Sequence, residues 1–176
     1  MADVIAPMSN DSPSLSTRWI NRGSPDSDIF DVAESFVEFH LPEPDCILRQ
    51  YHVLTGDQHV SVHRTAIKIF DAAGIIDPTF GYNLAWLNFD SRYPNAGFRY
   101  AESEGDETRL YVSFTPTTHF CPVSDTLALG VSRAWNNSSA HDYAHVIVRV
   151  ARMHQLSDEI NRTLAELEED RRVPPE

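Results

Sequence analysis

The chain has 176 residues, of which 41% are hydrophobic, 23% charged and 10% aromatic. That length suits one domain with a tail and buries a core without disulfide staples. Acidic residues outnumber basic ones 26 to 14, and the net charge of −12 repels phosphate. It therefore excludes a nucleic-acid binder that works through bulk charge, and docking on anionic membranes.

Two cysteines, Cys46 and Cys121, make no disulfide framework. No apolar run approaches the roughly 18 residues of a membrane span. The opening residues lack the basic start and apolar stretch of a signal peptide. The expectation is a cytoplasmic protein with reduced thiols.

Residues 1–27 are rich in Ser, Pro, Asp and Asn and are expected to be a disordered tail, since they offer little apolar surface against ordering entropy. Trp19 and Ile20 are exceptions that can dock. Residues 28–40 place Ile29, Val32, Phe36 and Phe39 near helical spacing, which predicts an amphipathic helix stopped by Pro42 and Pro44. Cys46 to Leu54 reads as a short strand or extended piece ending at the Thr55-Gly56-Asp57 turn. From Val60, the positions of Val62, Ala66, Ile69 and Phe70 predict a helix that Gly74 closes.

Asp77-Pro78-Thr79-Phe80-Gly81 is a turn by composition. Asn83 to Phe89 is apolar and strand-like. Gly97 to Ala101 predicts a further strand, Glu102 to Glu107 an acidic turn, and the alternation of Leu110, Val112 and Phe114 another strand. Pro122 to Trp135 predicts a helix, Val146 to Val150 a strand, and Leu156, Ile160, Leu164 and Leu167 a final helix. Ser157 suits its cap, and Asp158 and Glu159 suit its positive end. The fold class is α+β: a small mixed sheet of about four strands with covering helices. The order is α-β-β-β-α-β-α, preceded by the extra N-terminal helix.

The segment Thr115 to Pro122 carries the clearest chemical signal. Pro122 suits the first position of a helix, which would put Cys121 at the cap, facing free N–H groups that favour a thiolate. His119 offers a second ligand or a positive charge, and Thr117 and Thr118 offer hydroxyls. Cys121 equally reads as a small buried hydrophobe, with the threonines merely ending a strand. Asp125, in the next turn, complements the dipole and opposes a thiolate nearby. His59 and His63 have metal-ligand spacing on a helix, yet a solvated face is the expected reading. His141 and His145 repeat that spacing without a common face. Cys46 reads as packing, and residues 166–170 as a solvated helix end. The aromatic group from Tyr82 to Tyr100 reads mainly as core, with some as partner surface.

The run Val112 to Pro122, the helix after it with Leu127 and Gly130, and Asp77-Pro78 with Gly81 and Asn83-Leu84 resemble one known domain. It is the small domain of iron–sulfur cluster assembly and targeting proteins, which includes PaaD-like and SufT-like proteins and the small subunit of the eukaryotic cytosolic targeting complex. The likeness extends over residues 60–172, through Val146 to Val150 and His154 to Leu164 with Glu159 and Asn161. Thr79 stands where the family has a turn glutamate, and Trp86-Leu87-Asn88 where it usually has Asp-Leu-Gly. The resemblance implies a domain over 60–172, an extension at 28–59 and the tail at 1–27. It implies a central reactive Cys121, with His119, Thr117, Thr118, Asp77 and Asn83 around it. A transient iron–sulfur cluster or iron would be held by Cys121 and His119. The implied function is that of a non-enzymatic accessory factor for cluster assembly or delivery. Its partners would be client apoproteins or assembly machinery, in a homodimer or hetero-complex. Two other readings stay open: a thiol enzyme with Cys121 as nucleophile and His119 as base, and an interaction module with an idle cysteine.

Overall fold

The computed structural model describes residues 41–103 and 108–172. The expected helix over 28–40, the tail before it and the tip of the acidic turn at 104–107 lie outside the described residues. In chain order come β1 (His52–Val53), α1 (Gly56–Ala73), β2 (Gly97–Glu102), β3 (Arg109–Thr115), α2 (Ser124–Asn136), β4 (His145–Val150) and α3 (Ser157–Arg172). Two 3-10 helices, Leu48–Gln50 and Leu84–Phe89, fill the gaps.

The fold is α+β, as the patterning predicts. One four-stranded sheet has the order β1-β2-β3-β4. β1 and β2, and β2 and β3, run antiparallel, whereas β3 and β4 are parallel and joined by the α2 crossover. Strand alternation sorts the side chains. Phe98, Tyr100, Val112, Phe114 and Val148 join the main core with Phe70, Leu127 and Trp135 of the helices. Ala101, Tyr111 and Ile147 face the other way and pack with Leu48 in a second, smaller cluster. There Tyr51 stacks on Tyr111 with ring centroids 3.7 Å apart. Each fully buried large side chain of the main core contributes on the order of 1.5–3 kcal/mol before entropy is subtracted.

The strand expected at Asn83 to Phe89 is instead a 3-10 helix. Asn83 accepts the Ala85 N–H, and its amide donates to the Ile67 carbonyl and to Asp71. These bonds curl the chain back against α1, so Leu84, Leu87 and Phe89 are buried without a partner strand. The fourth strand is β1, whose Val53 pairs with Ala101. A domain boundary at residue 60 would cut through α1, which begins at Gly56. Leu54 lies in the main core and Leu48 in the second cluster, so residues 41–59 pack as part of the same unit.

Three asparagine amides complete the sheet where strands run out. Asn88 both donates to the Phe98 carbonyl (2.9 Å) and accepts the Phe98 N–H (2.6 Å). Asn136 makes the same reciprocal pair with Val146, and Asn161 with Val150. Each amide takes the place of a missing strand, so backbone groups that would be unpaired are satisfied. Asn88 sits so close to Gly97 that a Cβ there would overlap its side-chain oxygen. Gly97 also has φ +116, a conformation that only glycine adopts readily.

Replacing Asn88 by Ala strands two backbone groups of Phe98. We expect a loss of about 2–4 kcal/mol in urea unfolding, against about 1 kcal/mol for Asn161→Ala at its half-buried position. Equal, small losses for both would refute the role given to Asn88.

Candidate functional site

The last residues of β3 and β4 lie side by side, because the strands are parallel with Phe114 opposite Val150. The segments that leave them, 116–123 and 151–156, are bonded to one another. His119 donates from Nδ1 to the Met153 carbonyl (2.6 Å), and Gln155 N–H donates to the His119 carbonyl (3.0 Å). His154 donates from Nε2 to the Cys121 carbonyl (3.1 Å), while its Nδ1 accepts the Leu156 N–H. These bonds fix two walls of an open groove of about 320 Å3.

Cys121 and His119 line this groove together with Phe120, Leu156, Asp125 and Glu159. Phe120 is 72% exposed and Leu156 53%, so the groove has an apolar rim. Cys121 is half-buried. It does not hold the helix cap that the sequence suggests. α2 begins at Ser124 with Val123 as its cap, and Ser124 N–H bonds back to the Cys121 carbonyl. Pro122 therefore occupies a turn ahead of the helix. No hydrogen bond joins the Cys121 thiol to either imidazole among the described residues.

The remaining residues of the expected site lie elsewhere. Thr117 is half-buried and Thr118 exposed, and neither lines the groove. Asp77 is buried, and its carboxylate accepts the N–H groups of Thr79 and Phe80. It builds the turn, as Asn83 builds the 3-10 helix that follows. Neither reaches Cys121's groove. Cys46 is exposed, and a hydrogen bond with the Asp45 side chain raises its thiol above the usual range. Among the described residues, no three His, Cys, Asp or Glu side chains gather to hold a metal ion.

Sequence reasoning missed His154, which is buried and ties the two walls, and the exposed apolar rim. Leu156 continues the stripe of Ile160 and Leu164 but stands ahead of the first turn of α3 and is exposed instead of joining the core. No helix among the described residues is long and apolar enough to cross a membrane.

His59 and His63 do not form the solvated face expected of them. Both are buried, on the same stripe of α1 as Ala66 and Phe70. His63 donates from Nε2 to the Ala85 carbonyl (2.9 Å), so its Nδ1 accepts the Tyr100 hydroxyl (2.8 Å) and the ring is neutral. His59 stacks parallel to it at 5.7 Å. Burial lowers His63 to about 4. Burial, with the charges of His63 and Arg99, lowers His59 to about 2.

One family model matches the chain, over residues 28–174, and it is described as a domain of unknown function, DUF7998. No curated protein and no solved structure matches.

The buried histidines set an acid sensitivity. Both bind protons more weakly folded than unfolded, so their stabilisation is complete above pH 6.5 and is lost as pH falls from there. His63 alone, at about 1.4 kcal/mol per pKa unit, accounts for on the order of 3 kcal/mol between pH 6.5 and 4. The urea midpoint should drop between pH 7 and pH 5, and His63→Gln should flatten that drop. An unchanged pH profile in His63→Gln would contradict this account.

Proposed function

The chain belongs to the DUF7998 family, and from the groove we propose that it is a non-enzymatic accessory factor for iron–sulfur cluster assembly or delivery. The observation that carries this reading is the placement of Cys121 in an open groove rimmed by Phe120 and Leu156, both largely exposed. Exposed aromatic and aliphatic anchors beside a concavity suit a partner segment better than solvent. Among the described residues, Cys121 is the only sulfur that lines the groove. A cluster passed as cargo needs several thiolates, so the others come from the client or from an assembly protein, in a complex with this chain. The resemblance of Val112 to Pro122 to cluster-targeting proteins supplies the nature of the cargo. Its companion pattern is weaker support, since the Asp77 turn leads into a 3-10 helix where that family enters a strand. A compartment that keeps thiols reduced, such as the cytoplasm, suits this role.

The thiol-enzyme reading has less support. His119 and His154 spend one nitrogen each on a backbone carbonyl, and neither is hydrogen-bonded to the Cys121 thiol. Nucleophilic activation by an adjacent base needs that contact.

Anaerobic co-purification tests the proposal. Phe120→Asp should weaken partner capture at least tenfold, which is about 1.4 kcal/mol. Cys121→Ser should retain capture while client proteins emerge without their clusters. Full client maturation with Cys121→Ser would sink the cluster role and leave a docking module.

A further inference from the structure

We propose that the groove takes a partner segment in which large apolar side chains are flanked by arginine or lysine. The proposal rests on the reading of the groove as a docking site and adds the chemistry of its occupant. Phe120 and Leu156 form the exposed apolar rim, and Leu129 and Ile160 are the less exposed apolar side chains of the lining. Two exposed carboxylates, Asp125 and Glu159, stand in the same lining, and no lysine or arginine among the described residues joins them.

The two chemistries must be matched together. A metal ion or a small cation would leave Phe120 and Leu156 in water, and the described residues gather no three ligands for a metal. An uncharged apolar segment would cover the rim and leave both carboxylates without a counter-charge. A second copy docked groove to groove would bring the same two carboxylates and a net charge of −12 against their like, which is unfavourable. A segment with apolar residues between basic ones satisfies both parts of the lining. The cleft is also preformed, since His119 is bonded to Met153 and Gln155, and His154 to the Cys121 carbonyl. A preformed cleft loses little entropy on binding, so a short segment suffices. Its volume of about 320 Å3 lies at the low end of the roughly 300–1,000 Å3 of small-molecule sites, which suits a few side chains of a peptide.

Fluorescence polarisation with synthetic peptides tests this on the full chain, with no client, iron or sulfide present. Labelled GSRLWLRSG should bind at least tenfold more tightly than GSELWLESG, and GSRSGSRSG should show no measurable binding. Asp125→Arg with Glu159→Arg should invert the preference between the first two peptides. The same charge change at Glu169 and Asp170, exposed on α3 and outside the groove, should leave it intact, which separates local matching from attraction to the net charge. Phe120→Ser should weaken the first peptide at least tenfold. Absence of binding, equal binding of the basic and acidic peptides, a preference that both charge reversals change alike, or no effect of Phe120→Ser would each overturn the proposal. A dimer in light scattering that Phe120→Ser separates would make a second copy the occupant and overturn it too. The cluster role is read from client maturation in Cys121→Ser, so it stands or falls apart from these peptides.

Discussion

One pairing creates the groove: β3 lies parallel to β4. A parallel pair needs a crossover, here α2, and both strands then end on the same side of the sheet. The segments that leave Thr115 and Val150 are neighbours from their first residue. The connection into α2 carries His119, Phe120 and Cys121, and the connection into α3 carries His154 and Leu156. A crevice at the carboxyl ends of parallel strands is the usual place for a binding site in open sheets. Here a single parallel pair is enough to create one. The antiparallel half of the sheet, β1 to β3, supplies the second cluster with Leu48 and Tyr111 and contributes nothing to the groove lining.

The far wall depends on Asn161. Its amide grips both backbone groups of Val150 (2.7 and 2.9 Å), so α3 is fixed to the end of β4 as another strand would be. Ile160 and Leu164 on the same helix enter the main core, and Arg149 pairs with Glu168 further along (2.7 Å). With α3 clamped in this way, Leu156, Glu159 and Thr163 stand opposite Pro122 and Asp125 across the groove. The amide also leaves no open edge at Val150 for another strand to join, which limits edge-to-edge association.

Much of this was legible in the sequence. The stripes of α1 and α3 and the alternation in β2, β3 and β4 gave five elements close to their observed bounds. The failures share one cause, that local pattern does not say which neighbour a residue meets. The run from Leu84 to Phe89 is apolar enough for a buried strand, but Asn83 caps it as a 3-10 helix through the Ala85 N–H and ties it to Ile67 and Asp71. For His59 and His63 a solvated face is the expected reading, yet their spacing with Ala66 and Phe70 puts them on the buried stripe. For His63 the hydroxyl of Tyr100 and the carbonyl of Ala85, both distant in sequence, satisfy the buried ring. Pro122 suits a first helical position, yet Pro122 and Val123 form a turn and α2 starts only at Ser124. In the candidate site, Cys121 and His119 were visible as a pair, whereas Asp77 and Asn83 were drawn to it by family likeness and instead build the turn and the 3-10 helix.

The electrostatics of the groove narrow what can enter it. The first turns of α2 and α3 both border it, and helix starts carry unsatisfied N–H groups and partial positive charge, which ordinarily draw anions. This chain places Asp125 in the first turn of α2, and Asp158 and Glu159 in the first turn of α3. Full negative charges there outweigh half-charges from the dipoles, so the balance at the mouth is negative. A phosphate would meet two carboxylates, in keeping with the repulsion expected from a net charge of −12. An apolar segment with flanking arginine or lysine meets the opposite case: its side chains cover Phe120 and Leu156 while its charges face Asp125 and Glu159. The acids that stabilise the two helices thus also set the sign of the charge at the groove.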